Sequence, residues 1–420
     1  MNLKRCFKAA AAALMSLIIF SGCSTGQDGD LSRGKEAGAA DDLVINLSHE
    51  DARVRAAAAW NLGKSGEEEA VQPLIGALRD EDANVREWAV LGLVRIGRPA
   101  VPALCSTLNE GNESAAWQAA AALGLIGDAN ASRPLREALQ SGSSNVRYWA
   151  AQALGGLDDN SSKESLIFAL GDENASVRYE AGLALRATEG AGAADIFIGL
   201  LQDENGSRRA GAACALGNAD GSGAVPALVS ALQDEQAGVR LEAARALGRL
   251  GDGSAAKPLT GLLSDENGQV RGQAIASLQA IGEPAVRPLL SVLQGANSSP
   301  EDAAEGAAIA LGGIGEEGSL DALEEAFIRG GERVRIAAAR AMMKINASRA
   351  GMYMITQMGS AQAPADVRAD AARALGEMGD KSARGALIQA MASDSDEDVR
   401  LNAARALKSI GGGEVPEYKI

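Results

Sequence analysis

The sequence is poor in the residues that most catalytic centres need. Among 420 residues there is one histidine. A Ser–His–Asp relay would have to run through His49, and a multi-histidine metal centre is excluded. Cysteines number four, and no C-x-x-C pair, P-loop or G-x-S-x-G elbow occurs. Positive charge is also short. Forty Lys and Arg face 55 Asp and Glu, a formal charge of −15, so the surface lacks the clustered cations that sequence-independent nucleic-acid binding uses. Aromatic residues are only 3%, which makes the position of each one informative. No apolar run is long enough for a lasting transmembrane helix. The stretch Ala9–Phe20 has twelve residues, against the roughly 20 that a span requires.

That short run has another use. Lys4, Arg5 and Lys8 precede it, and Ser21-Gly22-Cys23 follow it. A positive n-region, a short apolar h-region and small residues before the cut describe an export signal. With Cys23 next, the end of the signal resembles the lipobox of prokaryotic lipoproteins, with Phe20 where Leu is usual. The resemblance implies that Cys23 is lipidated and becomes the first residue of the mature chain. The diacylglyceryl group would supply the two chains that stable anchoring needs. Removing residues 1–22 takes away Lys4, Arg5 and Lys8 and no acid, which moves the formal charge from −15 to −18. Residues 23–40 are Gly-, Ser- and charge-rich without hydrophobic period and read as a flexible tether. Cys105 and Cys214 stand more than three repeats apart and are expected as small buried hydrophobes out of disulfide reach.

From Asp41 to about residue 412 the chain is one motif copied twelve times, with a tail at 413–420. The signature V-R-x-x-A-A-x-A-L-G recurs with its arginine at Arg55, Arg86, Arg147, Arg178, Arg209, Arg240, Arg271, Arg335, Arg368 and Arg400, and with Ala116 and Ala304 in the remaining two copies. The spacing is 30 to 33 residues, the mark of a solenoid. Each copy reads as two helices. The first carries A-V-x-P-L, with its proline (73, 102, 134, 226, 258, 288) in the first turn, where a missing N–H costs nothing. The second opens on a capping residue four before the marker: Asp51, Asp82, Asn112, Ser143, Asn174, Asn205, Asn267 or Asp396. It closes on Gly66, Gly97, Gly127, Gly251, Gly282, Gly315, Asn346 or Gly379, residues suited to the left-handed cap. Counting from the marker, the apolar stripe is −1, +3, +7 and +10, and the alanines at +4 and +6 let neighbouring helices approach closely. The expected fold class is all-α, an α-α superhelix of about twelve two-helix repeats.

These repeats resemble the HEAT-like repeats of the phycobilisome-lyase type. The resemblance implies a HEAT/armadillo-like solenoid. It implies function less firmly, because such repeats serve bilin lyases, hydroxylases and many binding scaffolds. Deoxyhypusine hydroxylases, for example, use several His-Glu pairs to hold two irons. Here His49-Glu50 is one pair and occupies a turn, so no metal site is assigned.

An arginine present in almost every copy beside an acidic turn reads as a structural ladder of Arg–carboxylate pairs between neighbours. The acidic turns lack the EF-hand pattern and read as capped, solvated turns. Seven of nine methionines fall between Met342 and Met391; they read as core gap-fillers rather than a copper(I) thioether site. Asn-x-Ser occurs eight times, at Asn46, Asn112, Asn130, Asn160, Asn174, Asn205, Asn297 and Asn346, and capping preference accounts for it.

The remaining signal is uneven along the chain. Positions +1, +2 and +5 of the second helix lie outside the apolar stripe and, in HEAT-like solenoids, face the concave surface. In the first five repeats they hold Trp60, Trp88, Trp117, Tyr148, Trp149 and Tyr179, which includes every tryptophan. In later repeats +5 holds Arg245, Arg340, Arg373 and Arg405. Clustered aromatics off the core stripe mark a binding surface. The sequence therefore describes a membrane-tethered scaffold of the cell envelope, without catalytic residues or cofactor. It binds a protein or other extended partner in its groove, and not nucleic acid. The alternative is a bilin-lyase-like enzyme or an enzyme's accessory subunit.

Overall fold

A computed structural model describes residues 39–157, 160–218, 223–295 and 300–411. Cys23, residues 1–22, most of the tether and the tail 413–420 lie outside the described residues. The chain divides into two compact units, Met1–Ala219 and Asp220–Ile420. Among the described residues every regular element is helical.

The first unit contains six helix pairs: α1 (Ala39–Asn46) with α2 (Ala52–Ser65), α3 (Val71–Ala77) with α4 (Ala83–Ile96), α5 (Val101–Thr107) with α6 (Glu113–Ile126), α7 (Ser132–Ala138) with α8 (Ser144–Gly156), α9 (Lys163–Ala169) with α10 (Ala175–Glu189), and α11 (Ala193–Leu200) with α12 (Gly206–Leu216). The second unit repeats the plan: α13 (Ala224–Ala231) with α14 (Ala237–Leu250), α15 (Ala256–Thr260) with α16 (Gly268–Ile281), α17 (Val286–Gln294) with α18 (Glu301–Ile314), α19 (Leu320–Arg329) with α20 (Glu332–Ile345), α21 (Ala347–Gly359) with α22 (Ala365–Met378), and α23 (Arg384–Ser393) with α24 (Glu397–Ile410). These twelve pairs are the expected all-α, two-helix repeat.

Helix α4 shows why the motif folds this way. The Asp82 carboxylate accepts from the Asn84 and Val85 N–H groups at 2.8 and 3.3 Å, which satisfies two orphan donors of the first turn. Val85, Ala89 and Leu93 are buried on one side. Gly97, at φ +77°, ends the helix, and its N–H bonds the Leu93 carbonyl at 3.0 Å. All eight residues expected as caps accept backbone N–H bonds in this manner. Gly97 and Gly282 keep a positive φ but, at ψ −131° and −136°, lie outside the left-handed helical region, and Asn346 departs further from the expectation. It is extended, at φ −151°, and its side chain accepts from the Arg349 N–H at 3.0 Å. It begins α21 rather than closing α20 in a left-handed turn, because no loop separates the two helices.

Two features go beyond the motif. A three-residue 3₁₀ turn, such as Glu68–Ala70 or Arg98–Ala100, precedes nine of the first helices. The motif alanine that ends it is buried, as at Ala70, Ala100, Ala131, Ala255, Ala285 and Ala383. The second feature is how closely second helices meet. The glycine at +8 of one repeat lies against the small residue at +6 of the next. A methyl group on Gly124, Gly312 or Gly376 would stand 2.7–2.8 Å from the Cα of Ala153, Ala341 or Ala406, so none fits. The buried stripe is accordingly −1, +3, +4, +6 and +7, with +8 and +10 at its edge, often only half-buried.

Candidate partner-binding face

The marker arginines do two jobs. Where Arg55, Arg147 and Arg240 stand, Nη1 donates to the carbonyls five and six residues earlier, at 2.9–3.2 Å. Their Nε and Nη2 clasp the aspartate of the next turn: Arg55 with Asp80 (2.7 and 2.9 Å), Arg147 with Asp172 (2.6 and 2.9 Å) and Arg240 with Asp265 (2.7 and 2.9 Å). Arg368 holds Asp394 in the same bidentate way, at 2.9 and 2.8 Å, and Arg335 reaches Asp370 at 2.6 Å. These pairs are largely shielded from solvent. Burial pushes the Asp80 and Asp265 carboxyls up, but the arginine and backbone N–H bonds outweigh it and leave both below the ordinary carboxylate range.

Other positions differ. Arg86 and Arg178 donate only to the carbonyls of their own turns. The carboxylate expected for Arg178, Asp203, is taken by Arg208 at 3.1 Å. For Arg86, the next turn offers Gly111 where the pattern needs an acid. Arg271 also bonds its own turn carbonyls and comes within 3.8 Å of Asp302. Arg209 and Arg400 bond the carbonyls of Asp203, Glu204, Asp394 and Ser395.

The aromatic residues gather into two groups on the second helices. Trp60 and Trp88 meet edge to face, with centroids 4.9 Å apart. Trp117 and Trp149 stack at 5.7 Å and 25°, and Tyr148 stands edge-on to Trp149 at 5.5 Å. Trp60 and Tyr179 are 38% and 40% exposed, and the other four are half-buried against one another. None of the four indole N–H groups has a hydrogen-bond partner among the described residues.

Two carboxyls sit among these rings. Glu180 is 3% exposed and accepts from the Tyr148 hydroxyl. Burial raises it to about 7 despite that bond, and burial together with Glu180 raises Tyr148 to about 12. Glu87, beside Trp88, is raised by burial, and its Oε1 is without a partner. Both glutamates occupy +1 or +2, the positions of the rings. Sequence reasoning passed over them because a polar residue off the apolar stripe reads as solvated.

In the later repeats three of the four +5 arginines are neutralised within the second unit. Arg245 bonds Glu242 at 2.7 Å, Arg340 bonds Glu377 at 3.0 Å, and Arg373 bonds Asp370 at 2.5 Å. Away from this face, His49 is a turn residue whose Nδ1 accepts from the Asp51 N–H at 3.0 Å. Cys105 and Cys214 form no disulfide among the described residues and are half-buried rather than buried. Cys105 lines a surface cavity of about 680 Å³ with Arg98, Asp128 and Pro134. Met342, Met354, Met358 and Met391 are core, and Met352 is exposed.

Paired helices stacked in register, six pairs in each unit, define a helical-repeat protein. The family model for HEAT repeats matches in seven overlapping segments over residues 40–343 and an eighth at 354–418, and the chain belongs to the HEAT-repeat family. Among solved structures it is similar to Kap121p bound to Pho4p, with 14% identity and a TM-score of 0.53, over 88% of this chain and 48% of that one. It is also similar to Kap95p, described with RanGDP, with 14% identity and a TM-score of 0.51, over 90% of this chain and 61% of that one. The chain thus spans about half to three-fifths of these karyopherins. At this identity the likeness is one of fold. No curated protein matches the sequence.

Proposed function

We propose that the chain is a membrane-tethered, non-catalytic scaffold that holds a protein partner along the second-helix face of repeats one to five. One observation carries the reading: every tryptophan stands on that face, outside the core, with no partner for its N–H among the described residues. Clustered aromatic anchors of this kind concentrate binding energy. Karyopherins of similar fold are solved with protein partners, Pho4p on Kap121p among them, which supports the reading by analogy of fold. The test is a cross-linking pull-down from solubilised envelope with the parent chain and with Trp117→Ala/Trp149→Ala. The partner should be captured by the parent and lost by the variant at unchanged helix content. Equal capture by both would refute the site.

The tether is part of the same proposal. Cys23 carries the lipid, and residues 24–40 space the repeats from an extracytoplasmic membrane surface. Cys23→Ser should move the protein from the membrane to the soluble fraction; a variant that stays membrane-bound, or an unmodified Cys23 by intact mass, defeats it. A phycobilisome-lyase-like activity would instead transfer colour covalently from bilin to an apo-phycobiliprotein, and this proposal expects none.

A further inference from the structure

We propose that the surface cavity formed by α20, α21 and α22 in the second unit is a copper(I) site, in which the thioethers of Met343, Met352 and Met378 hold the ion and the Asp380 carboxylate balances its charge. The proposal is independent of the aromatic face of the first unit.

The first observation is where the methionines stand. Gap-filling, the role expected from the sequence, fits Met342, Met354, Met358 and Met391, which are buried. It does not fit the other three. Met343 and Met378 are half-buried, and Met352 is 63% exposed. All three line one cavity of about 430 Å³, together with Ser348, Asp380 and Ser382. Met343 comes from the last turn of α20, Met352 from the middle of α21 and Met378 from the end of α22. The fold brings them together, not a local run of sequence.

The second observation is how the site departs from the repeat. Met352 occupies the place that Gln72, Arg133, Lys257 and Arg287 hold in other first helices, all of them exposed. A long apolar side chain there has no core to fill. Met343 stands at +8, where Gly124, Gly312 and Gly376 let the neighbouring helix approach. Gly351 replaces the buried valine of the motif, such as Val71 or Val101. A methyl group on Gly351 would lie 2.7 Å from Asp380 Oδ2 and 3.4 Å from Met378 Cε. The glycine therefore lets the aspartate and the methionine of the next helix and turn close on α21, beside Met352. Asp380 is fixed in place: its Oδ1 accepts from the Ser382 N–H at 2.8 Å and the Ser382 hydroxyl at 2.7 Å. Its Oδ2, against Gly351, has no hydrogen-bond partner among the described residues.

The third is the chemistry of the donors. Thioether sulfur is soft and neutral, and it selects copper(I). Calcium takes six to eight oxygens, and this cavity offers one carboxylate and two hydroxyls. Zinc is held by imidazole, thiolate and carboxylate, and neither histidine nor cysteine lines the cavity. Three neutral thioethers leave the charge of a monovalent ion uncompensated, and the single carboxylate of Asp380 cancels it. Lys344 and Lys381, next in sequence to the site, are exposed and do not line it.

The test titrates the full-length protein with copper(I), without oxygen and against a chromophoric copper(I) chelator. Thiols also take copper(I), so the titration is run at about pH 5.5, where cysteines hold their protons and thioethers have none to lose. Met343→Leu/Met352→Leu/Met378→Leu keeps side-chain volume and removes the three sulfurs. It should bind one equivalent less than the parent. Met352→Leu alone should weaken that equivalent by at least about tenfold, and Asp380→Asn by about tenfold. Met354→Leu, in the core, should leave it unchanged. X-ray absorption at the copper edge should show sulfur neighbours in the parent that the triple variant loses. Equal stoichiometry in the parent and the triple variant, copper with only nitrogen and oxygen neighbours, or displacement of the bound copper by equimolar zinc or calcium would overturn the proposal. Met352 is exposed, so Met352→Leu decides the matter even where the triple variant does not fold.

Discussion

Glu180 is a carboxyl that the fold holds near 7, whereas in an unfolded chain it titrates near its ordinary value of about 4.3. Between those values the native chain keeps a proton that the unfolded chain has released. Its contribution to stability therefore falls as pH rises from about 4.5 to about 7 and levels off above. Glu180→Gln keeps an acceptor for Tyr148 and removes the titration. At pH 8 it should be more stable than the parent by on the order of 3 kcal/mol, with the gain vanishing near pH 4.5. Urea midpoints across that range measure it, and a variant that tracks the parent would contradict it. Arg147 is the converse case. It closes a shielded bidentate pair with Asp172 and holds two carbonyls, so Arg147→Ala should cost about 3–5 kcal/mol by leaving Asp172 uncompensated. Arg178, with carbonyl partners alone, should cost only about 1–2 kcal/mol on truncation. Equal losses would mean that the carboxylates add nothing.

Between helices, the small-residue contacts decide what the repeats tolerate. Gly312→Ala drives a methyl group into the Ala341 backbone and should cost about 1–3 kcal/mol. Gly66→Ala meets no atom within 4 Å but sits at φ +72°, where an L side chain costs about 1–2 kcal/mol. Gly76→Ala, in the first helix α3 with open space around it, should stabilise by about 0.5–1 kcal/mol. Denaturation of the three variants separates steric from conformational causes. The cap glycines were legible in the sequence because a cap is local: four residues after the motif leucine, one backbone angle. The +8 glycines stood in the same motif, but their partners at +6 lie a full repeat away, and sequence spacing does not say which helices touch. The same limit explains the site. The off-stripe tryptophans could be read from helical period alone. That Trp149 stacks on Trp117, and that Glu180 lies beneath Tyr148, depends on distances between repeats. The pairing of Arg178 could not be read either, since it turned on Arg208 reaching Asp203 first.

Across the whole chain, acids outnumber bases by 15, and the five clasped arginines, Arg55, Arg147, Arg240, Arg335 and Arg368, are shielded while most of the excess acid is exposed. Self-repulsion should therefore exceed the small screening loss of the exposed ion pairs, which are individually worth about 0–1 kcal/mol. Raising salt from roughly 50 to 500 mM should lift the melting temperature by a few degrees. A fall, read by circular dichroism, would show that the exposed pairs dominate. Because each repeat leans on its neighbours, damage at one pair should appear first as local amide exchange around that repeat and spread from there.

The uneven arginine pairing also gives each unit a distribution of stiffness. In the first unit, shielded Arg–Asp clasps join repeats one and two and repeats four and five; the steps on either side of repeat three, where Arg86 lacks an acid and Ala116 replaces the arginine, are crossed instead by contacts such as Arg79–Glu110 on one side and Arg98–Asp128 and Ser143–Glu113 on the other. In the second unit, the clasps of Arg240, Arg335 and Arg368 lie on either side of repeat nine, where Ala304 stands and contacts such as Arg271–Asp302 and Gln279–Ile309 on one side and the exposed Arg333 pairs on the other reach across. Under a load applied along either row, the clasped blocks should hold while repeats three and nine yield, so each unit is an elastic element with its joint near the middle.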